Sequence, residues 1–202
     1  MAGIIKTCHD NGQLREEYFA NGEKKEGEYK SYGSNGQLWE ICNYVNGKRE
    51  GECKAYHENG QIWEIRSYVD RKLEGEYKRY YENGQFADIC NYTDGKREGE
   101  YKYYHENGQP LEICNYVDAK IEGVHKRYYE NGQLWEICNY VNGKIEGELK
   151  EYFSTGTLCK ICNYVNGKEE NICQFIYRKT RNFIWRTLTK ITPHMTKRSK
   201  KI

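Results

Sequence analysis

The sequence predicts an all-β protein, an elongated, single-layer antiparallel meander of repeated β-hairpins. Three observations carry that expectation. A unit recurs every 24 residues, each unit holds two turn signals of the Asn-Gly or Asp-Gly kind, and no part of it shows the apolar spacing of a helix. The repeat is plainest in "SNGQLWEICNYVNGK" (Ser34–Lys48) and its near-copy "ENGQLWEICNYVNGK" (Glu130–Lys144). The glycine of "NGQ" falls at Gly12, Gly36, Gly60, Gly84, Gly108 and Gly132, and Gly156 follows in "TGT". The glycine of the "EG" step keeps the same period, from Gly27 to Gly147. Residues 1–170 are therefore about seven copies of one unit, the first irregular by one residue around Phe19–Lys25.

Within Gly75–Gly99, two runs rich in Tyr, Ile, Cys and Asn flank Asn83-Gly84, and Asp94-Gly95 follows. Such dipeptides favour two-residue type I′ turns, in which both central residues take positive φ. A turn at 83–84 sets Arg79 opposite Asp88. The equivalent pairs are Arg127–Glu136 and Glu151–Lys160, where both signs exchange together, as a true cross-strand contact requires. The "EG" column admits Asn171 as its one replacement, so it is expected to need left-handed backbone. The "NGK" column admits Arg71 and Ala119 and is expected to use another geometry or to carry strain there. Pro110 takes the slot of Leu38, Ile62 and Leu134, which predicts a bulge or one lost ladder bond.

Composition sets the kind of core. Leu, Ile, Val and Phe supply 35 of 202 residues, about 17%, below the ~20% at which disorder threatens. A net charge of only +2 and 20 tyrosines oppose disorder and point to a thin core of Tyr, Ile, Cys and Trp. No signal peptide and no apolar run near the ~18 residues of a membrane helix is present. Nine cysteines, an odd number, fit an intracellular, reducing compartment better than a secreted or transmembrane setting.

The recurring "Y-x-x-G-K-x-x-G-x-x-K-x-Y-x-x-x-G", as in Tyr44–Gly60, resembles the MORN repeat, and more closely the MORN variant of bacterial and giant-virus proteins. The resemblance covers about 85% of the chain. It implies a twisted sheet growing two strands per repeat, and roles in scaffolding or at membranes. About 14 strands at ~4.8 Å make a sheet of about 65 Å.

Chemistry is sparse. Cys42, Cys90, Cys114, Cys138 and Cys162 share a column, with Arg66 in the remaining slot. Equivalent strands lie ~9.6 Å apart, beyond the ~7 Å reach of a disulfide, so a packing ladder of free thiols is expected. Cys159-Lys160-Ile161-Cys162 is a single CxxC whose thiols would face opposite ways. His57, His105 and His125 sit where other copies have Tyr, Phe or Leu, which reads as shape. No catalytic residue, cofactor site or metal ligand set is assigned. The candidate partner surface is an aromatic face formed by Trp39, Trp63 and Trp135 with Tyr80, Tyr104 and Tyr128.

Residues 171–202 differ in kind. They carry nine basic residues and no acidic one, against 23 basic and 30 acidic before them, so +9 stands beside −7. Apolar spacing over Ile176, Ile184, Leu188 and Ile191 predicts a basic helix that caps the last strand. Alternatively, Arg178, Lys179, Arg181, Arg186, Lys190, Lys197, Arg198, Lys200 and Lys201 contact an anionic membrane. "KRSKK" also allows nucleic acid, the least favoured partner. The expected function is a non-catalytic scaffold for an unidentified protein partner, with anionic phospholipid as the alternative ligand.

Overall fold

A computed structural model describes residues 2–170, and beyond them the backbone of Ile172–Lys179 and Asn182–Thr189. The described chain is all β. It begins with β1 (Ala2–Cys8), β2 (Leu14–Asn21), β3 (Lys24–Tyr32), β4 (Leu38–Val45), β5 (Lys48–Arg49), β6 (Gly51–Tyr56) and β7 (Ile62–Val69). It continues with β8 (Lys72–Leu73), β9 (Gly75–Tyr80), β10 (Phe86–Thr93), β11 (Lys96–Tyr104), β12 (Pro110–Val117), β13 (Lys120–Ile121) and β14 (Gly123–Tyr128). The repeats close with β15 (Leu134–Val141), β16 (Lys144–Ile145), β17 (Gly147–Tyr152), β18 (Leu158–Val165) and β19 (Lys168–Glu169). Each strand pairs antiparallel with its neighbours in the chain, so the sheet is an open meander. Short strands such as β5 and long ones such as β6 are halves of one strand, split where Glu50 N–H donates to Asn43 O at 2.9 Å and Gly51 takes φ +75°. Counting such halves once leaves fourteen strands through Val165, two per repeat.

The glycine columns resolve into three turn geometries. Every described "EG" glycine has positive φ, from +71° at Gly27 to +80° at Gly147, as the sequence predicts. The "NGK" turns are the two-residue kind, with Asp94 at +53° and Gly95 at +79°. Arg71 (+73°) and Ala119 (+63°) keep that same geometry, so these two copies carry the strain. The "NGQ" turn corrects the expectation. Gly84 N–H donates to Tyr81 O at 2.9 Å, and Tyr81 N–H to Gln85 O at 2.9 Å. Gly84 alone takes positive φ, while Asn83 instead accepts Gln85 N–H on its Oδ1 at 2.9 Å. This is a three-residue loop with a left-handed glycine bulge. Charge pairing nevertheless follows the expected register: Arg79 opposes Asp88 at 3.0 Å, and Lys160 opposes Glu151 at 3.0 Å. A further bulge follows the loop in copy after copy; Pro110, the first residue of β12, pairs with Tyr104 just before the inserted Leu111, the bulge expected there being one that all these copies share.

Repeats are also locked to one another outside the ladder. The Glu of each "EG" step accepts a backbone N–H from the next repeat's turn, Glu50 from Asp70, Glu74 from Asp94 and Glu98 from Asp118, at 2.8–3.2 Å. Asn59, Asn83, Asn107 and Asn131 donate side-chain amides to the carbonyls of Glu82, Glu106, Glu130 and Ser154 at 2.8–2.9 Å. Six near-identical copies thus stack by contacts between neighbours alone, as a linear array must.

Burial falls on one face. Cys42, Cys90, Cys114, Cys138 and Cys162 are at most 3% exposed. Tyr101 clusters with Cys90 and Cys114, and Tyr77, Tyr92 and Tyr116 pack against that cluster, with Tyr101–Tyr116 rings 5.8 Å apart, edge to face. The opposite face carries Ile41, Ile65, Ile89, Ile113 and Ile137, half-buried among Lys and Glu.

Two expectations fail. Cys42 and Cys53 form a disulfide with Cα atoms 4.3 Å apart, and Cys162 is disulfide-bonded as well. The ladder of free thiols was inferred from equivalent strands. Cys53 belongs to a different column, on the strand adjacent to Cys42, where cross-strand Cα spacing suits a disulfide. Cys8, Cys90, Cys114, Cys138 and Cys159 are free thiols, as expected. In the basic segment, the backbone of β20 (Ile172–Lys179) and β21 (Asn182–Thr189) forms a further hairpin on β18 where a helix was expected. Alternating β-branched and aromatic residues satisfy a strand as readily as a broad helical stripe. Residues 190–202 lie outside the described part of the chain.

Candidate functional site

The expected aromatic face divides in two. In each hairpin the bulge inserts one unpaired residue, so Tyr32 pairs with Leu38, Ser31 with Glu40, and Trp39 lies between. Trp63 and Trp135 are inserted in the same way. A bulged residue shares the side of its neighbour, which turns the tryptophans toward the cysteine face. Their contacts agree: Arg127, opposite Glu136, lies 5.8 Å over the Trp135 ring, and Tyr129 is 6.0 Å away. Tyr80 instead stacks on Phe86 at 4.9 Å, and Phe86 meets Tyr104 at 6.4 Å on the isoleucine face. Tyr128 pairs with Leu134 in that second row. The fault lay in carrying a simple alternation through a bulge.

Along the cysteine face the tryptophan row reads Trp39, Trp63, Ala87, Leu111, Trp135, Cys159. Trp39 is 49% exposed and meets Trp63 at 6.4 Å. Where Ala87 replaces tryptophan, a groove of about 620 Å³ opens, lined by Trp63, Tyr81, Tyr103, His57, Arg79 and Glu82. His57 and Tyr81 hold its wall. His57 Nε2 lies 2.9 Å from Tyr80 O, and Tyr81 Oη donates to Tyr104 O at 2.6 Å. His9, His105 and Tyr129 contact the next repeat's carbonyl likewise. Reading these histidines as shape alone missed a shared polar contact. The signal was that His and Tyr, both donors of similar reach, alternate in one column.

Below the row runs a buried ionic ladder that the sequence reading did not identify. Glu40 and Glu64 are each 8% exposed and Asp88 is 2% exposed. Arg66, in the cysteine slot, bridges Glu40 and Glu64 and donates to Tyr68 Oη at 3.0 Å. Arg49 holds Glu40 at 2.8 Å. Burial pushes the Asp88 carboxyl above its usual range despite Arg79 beside it. Further along, the His125 Nε2 lies 2.6 Å from Glu112 Oε1, and its Nδ1 lies 3.8 Å from Cys138 Sγ.

Thiol, imidazole and carboxylate in that order suggest a nucleophile, but the environment is opposite to activation. Cys138 is 3% exposed, and burial raises its thiol pKa to about 11. Burial likewise raises Cys90 to about 11 and Cys114 to about 12. A catalytic thiol needs the reverse shift and access. The side chains of Arg178, Lys179, Arg181, Arg186, Lys190, Lys197, Arg198, Lys200 and Lys201 lie outside the described part of the chain. No helix among the described residues is long and apolar enough to cross a membrane.

The family model described as the MORN repeat variant matches six consecutive segments, residues 25–46, 49–70, 73–94, 97–118, 121–142 and 145–166. Each segment runs from one "NGK" turn to the next. No curated protein matches the chain.

Proposed function

The chain belongs to the MORN repeat variant family, whose repeats are generally protein- or membrane-interaction units, and from that premise we propose a non-catalytic scaffold that binds a protein partner. The observation that carries the reading is the interrupted tryptophan row. Trp39, Trp63 and Trp135 are partly exposed along one row of the sheet, and the groove at Ala87 lies between the aromatic walls of Trp63, Tyr81 and Tyr103. Partly exposed aromatic side chains beside a groove are the usual makings of a binding hot spot. Arg79 and Glu82 at its rim supply both charges for orientation.

The test is differential capture. Full-length protein and the Trp39→Ala/Trp63→Ala variant are compared as baits under identical salt. The reading expects a defined protein retained by the first and lost by the second. The +9 of residues 171–202 favours a second ligand, an anionic bilayer. Co-sedimentation with phosphatidylserine vesicles that is unaffected by the tryptophan changes, together with no protein captured, transfers the function to that segment.

A further inference from the structure

We infer that His125, Glu136 and Cys138 form a binding site for a single zinc-class divalent cation, with Glu112 orienting the imidazole. The three ligand atoms, a ring nitrogen, a carboxylate oxygen and a sulfur, lie within 4.8 Å of one another. His125 Nδ1 is 3.8 Å from Cys138 Sγ and 4.0 Å from Glu136 Oε1. A tetrahedral ion with sulfur at ~2.3 Å and nitrogen and oxygen at ~2.0–2.2 Å brings its ligand atoms to about 3.4–3.6 Å of one another, a closure that the Glu136 side chain supplies by moving inward. The sheet supplies the placement. His125 and Cys138 are cross-strand partners in β14 and β15, and Glu136 stands two residues from Cys138 on the same side. In the other copies the His125 slot holds Tyr29, Cys53, Tyr77, Tyr101 or Leu149, so one repeat alone combines these donors.

The second carboxylate fixes the chemistry. With Nε2–H donating to Glu112 Oε1 at 2.6 Å, Nδ1 carries the ring's lone pair, which the Cys138 thiol meets at 3.8 Å. That lone pair faces the thiol and the Glu136 carboxylate, and Nδ1–Oε1 is too long for a hydrogen bond. A carboxylate behind a histidine is the usual outer partner of a metal ligand. Arg127 stands 3.9 Å from Glu112 Oε1 and 4.0 Å from Glu136 Oε1, outside the three proposed ligands. One proton leaves Cys138 to solvent as one metal–sulfur bond forms. His125 and Cys138 are at most 3% exposed, and the Glu136 side chain is 16% exposed.

Cobalt(II) is the probe, because a thiolate ligand gives it a sulfur-to-metal charge-transfer band and a tetrahedral site gives it intense visible bands. Full-length protein is expected to show both at one equivalent, and zinc is expected to abolish them. Calorimetry in buffers of different ionisation enthalpy should find about one proton released per zinc. Cys138→Ser and His125→Tyr should lose the bands; tyrosine already occupies that slot at Tyr101, so folding is kept. Glu112→Gln should weaken binding roughly 10–100-fold, and Cys90→Ala should change nothing. Absence of the charge-transfer band, or its survival in Cys138→Ser, would overturn the proposal.

Discussion

Arg66 is the residue whose replacement most clearly separates a packed column from an ionic one. It stands where five other copies have cysteine, so returning the slot to a small or apolar residue looks harmless from sequence alone. The structure predicts otherwise. Its guanidinium bridges Glu40 and Glu64, and the three side chains are only 10–12% exposed. Removing one partner of a buried ion pair costs roughly 3–5 kcal/mol, because the other charge stays buried and unpaired. Glu40 keeps Arg49 at 2.8 Å, so Glu64 alone is stranded, and the lower end applies. Arg66→Met should therefore cost about 3 kcal/mol, and at ~2–4 °C per kcal/mol should lower the melting temperature by roughly 6–12 °C. Thermal unfolding by circular dichroism at 218 nm, a β-sheet signal, reads this directly. Arg66→Met/Glu64→Met removes both charges and should recover most of the loss. A single variant within about 0.5 kcal/mol of the parent, the range of an ordinary surface change, would refute the buried ladder.

Further outcomes follow from the same geometry. Non-reducing peptide mapping should find Cys42 linked to Cys53, and Cys42→Ser/Cys53→Ser should cost about 3 kcal/mol for a loop of roughly 12 residues. Iodoacetamide at pH 8 should modify exposed Cys8 first and leave Cys90, Cys114 and Cys138 nearly untouched, since burial holds their thiols protonated; equal rates would contradict the packing. The bond from His125 holds Glu112 below its usual range, so its stabilisation is present above the unfolded carboxyl pKa and lost as pH falls through the lower folded value; the destabilisation by Glu112→Gln should fade in acid, and a constant difference would contradict it. Ala119→Gly should stabilise by about 1 kcal/mol, because alanine there is held left-handed at φ +63°, and Gly95→Val and Gly99→Val should cost alike, since both glycines sit near +79°.

The meander was legible because each turn glycine and each charge pair is a local statement repeated many times. Arg79–Asp88 and Lys160–Glu151 could be placed from numbering alone, because the residue inserted at the bulge offsets the extra residue of the three-residue loop. What alternation cannot show is the inserted residue. Alternation alone puts Trp39 and Tyr32 on one face, whereas the bulge sets them on opposite ones. The disulfide was hidden for a related reason. Cys42 and Cys53 belong to different columns, and only the shift of register at Glu50-Gly51 brings them level. A spacing of 11 between cysteines was the available signal. Arg66 was visible as an exception to a column, but its partners Glu40 and Glu64 lie 26 and 2 residues away, a pairing that needs the sheet. Glu112, His125, Glu136 and Cys138 likewise read as separate repeat positions until two hairpins place them side by side.

The scaffold account rests most directly on the notch at Ala87. Ala87→Trp puts into this copy the residue found at Trp39, Trp63 and Trp135, so the sheet should fold as before while the groove between Trp63 and Tyr103 fills. The decisive measurement is the affinity of the captured protein partner for this variant, beside its melting curve. The account predicts unchanged melting with binding lost. Binding at full strength to Ala87→Trp, with the added indole occupying the groove, would contradict it.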